Sequence, residues 1–171
     1  MFSKTMYKGT LNEQYETLSK QLDTLLHGET DVIANLSNAS ALLNQFLTDV
    51  NWVGFYLMKD GQLVLGPFQG LPACFRIPVG RGVCGTAVEK QETILVEDVH
   101  VFPGHIACDA ASNSEIVIPL CKEGKVVGVL DIDSPLKARF THEDAQGLEK
   151  FINVLEKYFE NLMNVKFTAL M

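Results

Sequence analysis

Two stretches near the start of the chain repeat apolar residues every three or four positions, the spacing that places them on one face of an α-helix. The first covers residues 11–27. The second begins after the break at 28–30, where Thr30 or Asp31 can cap a helix, and ends near Thr48. The pattern therefore predicts two amphipathic helices in succession.

A third helical stretch spans residues 141–163. Thr141 and Asp144 have the spacing of a capping box, which favours a helix start at this point. The apolar seam of this stretch consists of Ala145, Leu148, Ile152, Leu155, Phe159 and Leu162. Such a seam packs on a sheet, on the first two helices, or on a second copy of the chain in a homodimer.

Between these helices the apolar period changes to two, which is typical of β-strands. The expected strands cover residues 51–58, 63–68, 74–79, 93–99, 114–120 and 126–134, and a short helix is expected at 81–91. The turns "KDGQ" and "KEGK" join the first pair and the last pair of strands into hairpins. Two hairpins imply a largely antiparallel sheet with helices packed against it, which is an α+β fold.

Length and composition agree with one domain spanning residues 1–171, in which 47% of the residues are hydrophobic and 20% are charged. The first helices then occupy about 11–47, the sheet-containing core about 51–135 and the last helix about 141–163. The net charge of -7 argues against a nucleic acid or an anionic membrane as partner. Without a membrane-spanning apolar run or a secretory signal, we expect a cytoplasmic protein.

Three acidic residues are candidates for a cation site. Asp131 and Asp133 lie two apart on an expected strand, so both carboxylates point to one face. A solvated acidic face would explain them, but they follow the apolar run "VVGVL", where side chains should be mostly covered. Two like charges there repel each other unless a cation or a proton lies between them. Glu115, on the neighbouring strand, is the third candidate.

Trp52 and Tyr56 share one face of the first expected strand, with Gly54 between them. Large aromatic residues at such positions most often belong to the core. The alternative is a small ligand box, in which Gly54 leaves room and the two rings form flat apolar walls.

The chain has four cysteines and no C-x-x-C motif, so in a reducing compartment a cysteine kept for its chemistry is a nucleophile or a redox centre. Cys108 lies in a polar loop of small residues, with His105 and Asp109 nearby. A metal site made of Cys108, His100 and His105 has no common ligand spacing. The cysteines compatible with packing, or without an indicated role, are Cys74, Cys84 and Cys121.

The segment "GRGVCG" at residues 80–85 matches the G-x-G-x-x-G pattern, and Asp98 follows it as a ribose-binding acid would. A dinucleotide site also needs parallel strands around this turn, whereas the chain predicts hairpins. A tight turn with close backbone packing is therefore the preferred interpretation.

Two levels of family resemblance rest on these segments. "VGRGVCGTAVEKQETILVEDV" resembles the core of a GAF domain, whose fold is a six-stranded antiparallel sheet flanked by helices. "NWVGFY", "LVLGPFQG", "ACFRIPVGRGVCG", "CDAASNSEIVIPL" and "GVLDIDSP", within residues 11–160, are similar to the motifs of the free methionine-(R)-sulfoxide reductases, which are single-domain GAF enzymes. This resemblance implies an oxidoreductase that converts free methionine-(R)-sulfoxide to methionine with its own thiols and no cofactor.

The resemblance also implies roles for the cysteines. Cys108 is expected to attack the sulfoxide sulfur, and Cys84 and Cys74 to act as resolving or disulfide-exchanging thiols, in an order that stays open. Thioredoxin, supplied by NADPH, is the expected reductant. A GAF domain that senses a nucleotide or other small metabolite is the alternative, but it leaves the three cysteines without a role. A dimerisation module formed by the last helix leaves the acids and aromatics unexplained.

The residues expected by this resemblance and its chemistry to bind substrate are Trp52, Tyr56, Glu115, Ile116, Asp131 and Asp133. The acids are expected to hold the amino group, and one of them to donate a proton to the sulfoxide oxygen. The aromatics are expected to line the methyl-sulfoxide end. The carboxylate is expected on backbone N–H groups near Ile116 and Val117.

Overall fold

The computed structural model describes residues 5–106 and 108–159. Its α-helices are α1 (Leu11–Leu26), α2 (Val32–Phe46), α3 (Gly82–Lys90) and α4 (His142–Glu156). Its strands are β1 (Trp52–Lys59), β2 (Gln62–Gly70), β3 (Arg76–Pro78), β4 (Ile94–Val96), β5 (Ser114–Lys122) and β6 (Lys125–Ser134). A single turn of 3-10 helix, Val99–Val101, follows β4. None of the helices in these two ranges has the length and apolar character that a membrane crossing requires.

The six strands form one sheet in the order β3-β2-β1-β6-β5-β4, and every pairing is antiparallel. The expected α+β fold with a six-stranded antiparallel sheet is confirmed. The two hairpins, β1–β2 and β5–β6, meet along the β1–β6 pairing at the centre of the sheet.

The sheet separates two apolar clusters because alternate residues of each strand point to opposite faces. On one face Val53, Phe55 and Leu57 of β1 pack in a cluster with α1, α2 and α4. On the other face Trp52 and Tyr56 pack in a smaller cluster with α3. The second face has fewer helices over it, which leaves room for a pocket.

The capping box expected at the start of α4 is present, because Thr141 and Asp144 bond to each other's backbone N–H groups. Asp144 also accepts a hydrogen bond of 2.8 Å from the buried Tyr15 hydroxyl of α1. The described part of the seam is buried within the chain itself: Ala145, Leu148, Ile152, Leu155 and Phe159. The seam is thus used for internal packing, and a homodimer stays a prediction.

Three boundaries differ from the expectation. Helix α4 ends at Glu156 rather than at 163, because the next N–H groups bond three residues back and form turns, as Tyr158 does to Leu155. The predicted end at 163 lies outside the described residues. The expected strands at 74–79 and 93–99 shorten to three residues each. β3 is an edge strand that ends at a proline, and Asp98 accepts from the His100 N–H to start the 3-10 turn after β4.

Gly147 of α4 lies directly against the ring of Tyr15 on α1. A Cβ atom at Gly147 would lie 2.2 Å from Cγ of Tyr15. We expect Gly147→Ala to lower the free energy of unfolding by about 1–3 kcal/mol through overpacking, despite the higher helix propensity of alanine. Urea unfolding measures the change. Asn153→Ala, on the exposed face of the same helix, is the matched control and should leave stability almost unchanged; a Gly147→Ala protein as stable as this control would contradict the expectation.

Candidate active site

Two neighbouring strands, β5 and β6, place the acidic residues on the sheet face that packs on α3. Asp133 of β6 lies opposite Glu115 on β5 and opposite Trp52 on β1. Asp131, two residues earlier on β6, lies opposite Gly54. Glu115 and Asp131 are buried, with 6% and 7% of their surface exposed, and Asp133 is partly buried. Strand register therefore brings together the three acids that the sequence indicated.

A pocket lies over these acids, with about 520 Å³ of empty space if the part open to solvent is included. All three carboxylates contribute to its lining, as do the predicted residues Trp52, Tyr56, Cys84 and Cys108. The lining residues that the sequence did not assign to the site include Arg81, Ile106 and Ser112. They lie in loops or at the start of α3, where periodicity gives no indication of facing direction.

The two aromatic residues are both core residues and pocket walls. Trp52 stacks on Phe68 at 5.2 Å between ring centroids and lies 5.8 Å from Tyr56. The expectation that Gly54 leaves room for a ligand is wrong, because Phe68 and the Trp52 ring fill that space: a Cβ at Gly54 would lie 2.3 Å from Cβ of Phe68. The polar ends bond to the loop before β3, since Trp52 Nε1 donates to the Leu71 carbonyl and the Tyr56 hydroxyl to the Cys74 carbonyl.

The glycine-rich segment forms the β3–α3 turn at the rim of the pocket. Gly80 and Gly82 have positive φ angles of 77° and 62°, and the Gly80 N–H donates to the Gly85 carbonyl. A Cβ at Gly85 would lie 2.4 Å from the Pro78 carbonyl oxygen. With antiparallel pairing in every described strand, the segment is a tight turn and not a dinucleotide-binding motif.

The cysteines of the site have two different states. Cys74 and Cys108 form a disulfide at the pocket, and both are partly exposed. Cys84, in the first turn of α3, is a buried free cysteine whose thiol donates to Glu115 Oε1 at 4.0 Å. Burial and the neighbouring carboxylates Asp131 and Glu115 raise the pKa of the Cys84 thiol well above its usual range, so Cys84 stays neutral. The structure thus pairs Cys108 with Cys74 rather than with Cys84.

Burial also controls the protonation of the acids. Removal from water raises the pKa of Glu115 well above its ordinary value, and the charges of Asp131 and Asp133 raise it further. Burial raises the pKa of Asp131 to about 6, while the polar neighbours Cys84 and Glu115 act in the opposite direction. At neutral pH the cluster therefore holds both a proton and a negative charge. Asp131 Oδ1 is buried and has no hydrogen-bond partner among the described residues, so it can accept from a ligand.

The histidines of the loop before β5 have different surroundings. His105 lines the pocket with Nε2 3.7 Å from Glu115 Oε2, and burial lowers its pKa. His100 instead bonds to Asn113 at the surface and does not line the pocket. With Cys108 in a disulfide, the structure does not form the conceivable metal site of Cys108, His100 and His105.

Ile116 is the one predicted binding residue that lies outside the pocket. Its side chain is fully buried on the opposite face of the sheet, in the cluster with α1, α2 and α4. Its backbone is paired between Leu95 of β4 and Ile132 of β6, so a substrate carboxylate does not have access to it. Val117, the other position considered, lies in the same paired stretch of β5.

Because the pKa of Asp131 is raised from 3.8 to about 6 by folding, its ionisation opposes folding as pH rises through this window. We expect Asp131→Asn to increase the free energy of unfolding by about 1–3 kcal/mol at pH 8 and to have no such effect below about pH 4, where the native aspartate is neutral. Urea unfolding at both pH values measures the difference. Asp60→Asn, at an exposed turn, is the control for the charge change. A gain that is independent of pH would contradict the expectation.

The comparisons with known proteins agree with this geometry. The GAF domain family matches residues 21–158. Free methionine-R-sulfoxide reductase of Escherichia coli K12 is 57% identical over 157 residues, covering 92% of this chain and 95% of that protein.

Two solved structures are also similar. That of free methionine-R-sulfoxide reductase from Neisseria meningitidis in complex with its substrate has 44% identity and a TM-score of 0.89, covering 94% of this chain and 96% of that one. That of fRMsr of Staphylococcus aureus in complex with substrate has 52% identity and a TM-score of 0.82, covering 90% and 99%. On sequence, fold and extent of match, this chain belongs to the free methionine-R-sulfoxide reductases, a family of GAF-domain enzymes.

Proposed function

We propose that this chain reduces free L-methionine-(R)-sulfoxide to methionine by thiol chemistry. One observation carries the proposal: Cys108, which is disulfide-bonded to Cys74, lines the same pocket as a cluster of largely buried carboxylates. A cysteine pair supplies two electrons, and the carboxylates supply a cation site and a proton. The names of the relatives in E. coli and N. meningitidis support the same substrate.

The reaction begins from the reduced cysteines. The Cys108 thiolate attacks the sulfoxide sulfur while the sulfoxide oxygen takes up a proton. Transfer of this oxygen to Cys108 leaves a cysteine sulfenic acid and releases methionine as the thioether. The Cys74 thiol then attacks the sulfenic sulfur, water leaves, and the disulfide seen in the structure forms. Cys84, buried and neutral, is not needed for this first resolution step.

Glu115 is the proposed proton donor. It is buried, its pKa is raised well above the ordinary value, and it lines the pocket beside His105. A carboxylic acid that keeps its proton near neutral pH can protonate the sulfoxide oxygen as the sulfur is attacked. Asp131, whose pKa is raised only to about 6, is mostly ionised at the same pH.

Asp131 and Asp133 are proposed to bind the amino group of the substrate. The unpartnered Asp131 Oδ1 accepts a hydrogen bond from the ammonium, which also balances the charge of the two aspartates. A methionine sulfoxide residue inside a protein has no free ammonium, so it would leave this oxygen buried and unpaired. This difference explains a preference for the free amino acid.

Reopening of the disulfide requires an external dithiol, and thioredoxin supplied by NADPH is the proposed source. Apolar side chains flank Cys74 on the surface: Leu71 is 62% exposed and Phe75 is 80% exposed. An exposed apolar surface next to a disulfide suits a protein reductant. A cytoplasmic location is proposed with it, because a disulfide reopened in each cycle needs a reducing compartment.

Cys108→Ser is expected to abolish turnover while the fold is retained, because a serine hydroxyl does not attack the sulfoxide sulfur. The assay measures methionine formed from free methionine-(R)-sulfoxide with dithiothreitol as reductant. Cys121→Ser, at the far end of β5, is the matched control and should retain full activity. In the wild type, titration of free thiols after exposure of the reduced enzyme to substrate should show the loss of two thiols per chain. A sensor domain would lose no thiols in this titration. In the activity assay, a Cys108→Ser protein that turns over substrate would contradict the proposed mechanism.

Asp131→Asn and Asp133→Asn are each expected to raise KM for the free substrate by about tenfold or more, since a hydrogen bond to a charged group contributes about 1.5–3 kcal/mol. Steady-state kinetics with varied methionine sulfoxide measures the change. Asp60→Asn removes the same charge at an exposed turn and should keep the wild-type KM. If both active-site variants keep the wild-type KM, the aspartates do not bind the amino group.

A further inference from the structure

On the sheet face that packs on α3, three different elements bring a thiol and two carboxylates close together. Cys84 Sγ and one carboxylate oxygen each from Glu115 and Asp131 lie within 4.8 Å of one another. Cys84 comes from α3, Glu115 from β5 and Asp131 from β6, and all three residues are buried. Burial on rigid elements holds these donor atoms in place without any ligand.

A second observation separates this cluster from an ordinary group of acids. Within the described part of the chain, Asp131 Oδ1 is a buried oxygen without a hydrogen-bond partner, on a residue with only 7% of its surface exposed. A buried acceptor without a partner is costly, and a ligand that supplies positive charge at this oxygen removes the cost. The cluster also includes a sulfur donor, which distinguishes it from sites for hard cations that prefer oxygen ligands.

We propose that Cys84, Glu115 and Asp131 form a binding site for a borderline divalent metal ion of the zinc type. Zinc is bound by thiolate and carboxylate ligands together and keeps one open position in sites that have three protein ligands. His105 is the candidate for a fourth ligand, because it lines the same pocket and its Nε2 lies 3.7 Å from Glu115 Oε2. The site exists in the oxidised enzyme, because the Cys74–Cys108 disulfide leaves Cys84 free.

A metal ion in this position regulates the enzyme. It occupies Asp131, the residue proposed to bind the amino group, and so competes with the substrate; this part of the inference rests on the proposed function. Metal binding itself does not rest on it, because the donor set depends only on the fold.

Cobalt(II) is the probe, since it takes the place of zinc and reports a bound thiolate by a sulfur-to-cobalt charge-transfer band. The protein is used in its oxidised form, in which the described free thiols are Cys84 and Cys121. We expect the band to saturate at one equivalent of cobalt and zinc to abolish it. Cys121→Ser should keep the band, Cys84→Ser should lose it, and Asp131→Asn should weaken cobalt binding by about tenfold or more.

The inference is overturned if the wild type shows no band, if Cys84→Ser keeps it, or if Cys121→Ser loses it. Circular dichroism and thermal unfolding verify that each variant is folded. Because Cys84 is buried, its substitution can disturb the fold, and Asp131→Asn gives an independent test in a protein that keeps every thiol. A cobalt affinity that is unchanged in Asp131→Asn also overturns the three-ligand site.

Competition is measured in a reduced Cys74→Ser/Cys108→Ser protein, which binds the substrate without consuming it. Excess methionine sulfoxide should displace the cobalt. If cobalt binds through Cys84 but substrate does not displace it, the metal site stands. This result overturns the proposed regulation by competition and the proposed binding of the amino group at Asp131. Normal wild-type turnover without any cobalt band overturns the metal site and leaves the proposed function intact.

Discussion

The desolvation of like charges on one sheet face is the constraint on which the rest of the site depends. Glu115, Asp131 and Asp133 lie on adjacent strands, largely removed from water, where three full negative charges would repel strongly. The sheet holds them in place because its opposite face is packed against three helices. Their raised pKa values are the result, and the proposed proton donation by one residue and cation binding by another both depend on them.

Most of the fold is predictable because its longer elements carry regularly spaced buried residues. The helical period of three to four in α1 and α2 reflects packing on one face of the sheet, whereas β1, β5 and β6 are buried on both faces, in two separate clusters. The pattern is less informative at β3 and β4, which have three residues each, and at the end of α4. There, single side-chain contacts and turns, rather than periodicity, decide where an element stops.

In the candidate site, the residues that the sequence grouped correctly are those whose grouping depends on the alternation of side chains along a strand. Asp131 and Asp133 differ by two positions and share a face. The same rule excludes Ile116, because it follows Glu115 by one residue and must point to the other side. This alternation gives no information about contacts between segments that are far apart in the sequence. Phe68 fills the space beside Gly54 because the two residues face each other across the β1–β2 hairpin. Cys108 pairs with Cys74 rather than with Cys84, and residue spacing along the chain gives no sign of this choice.

The indole of Trp52 connects the pocket wall to the loop that contains Cys74. It stacks on Phe68, and its N–H donates to the carbonyl of Leu71, three residues before the disulfide. Trp52 is also the one tryptophan of the chain. Its fluorescence therefore has a single origin, at the wall of the pocket and against the loop that contains Cys74. A spectroscopic signal from this residue thus reports on the surroundings of the pocket without an attached dye.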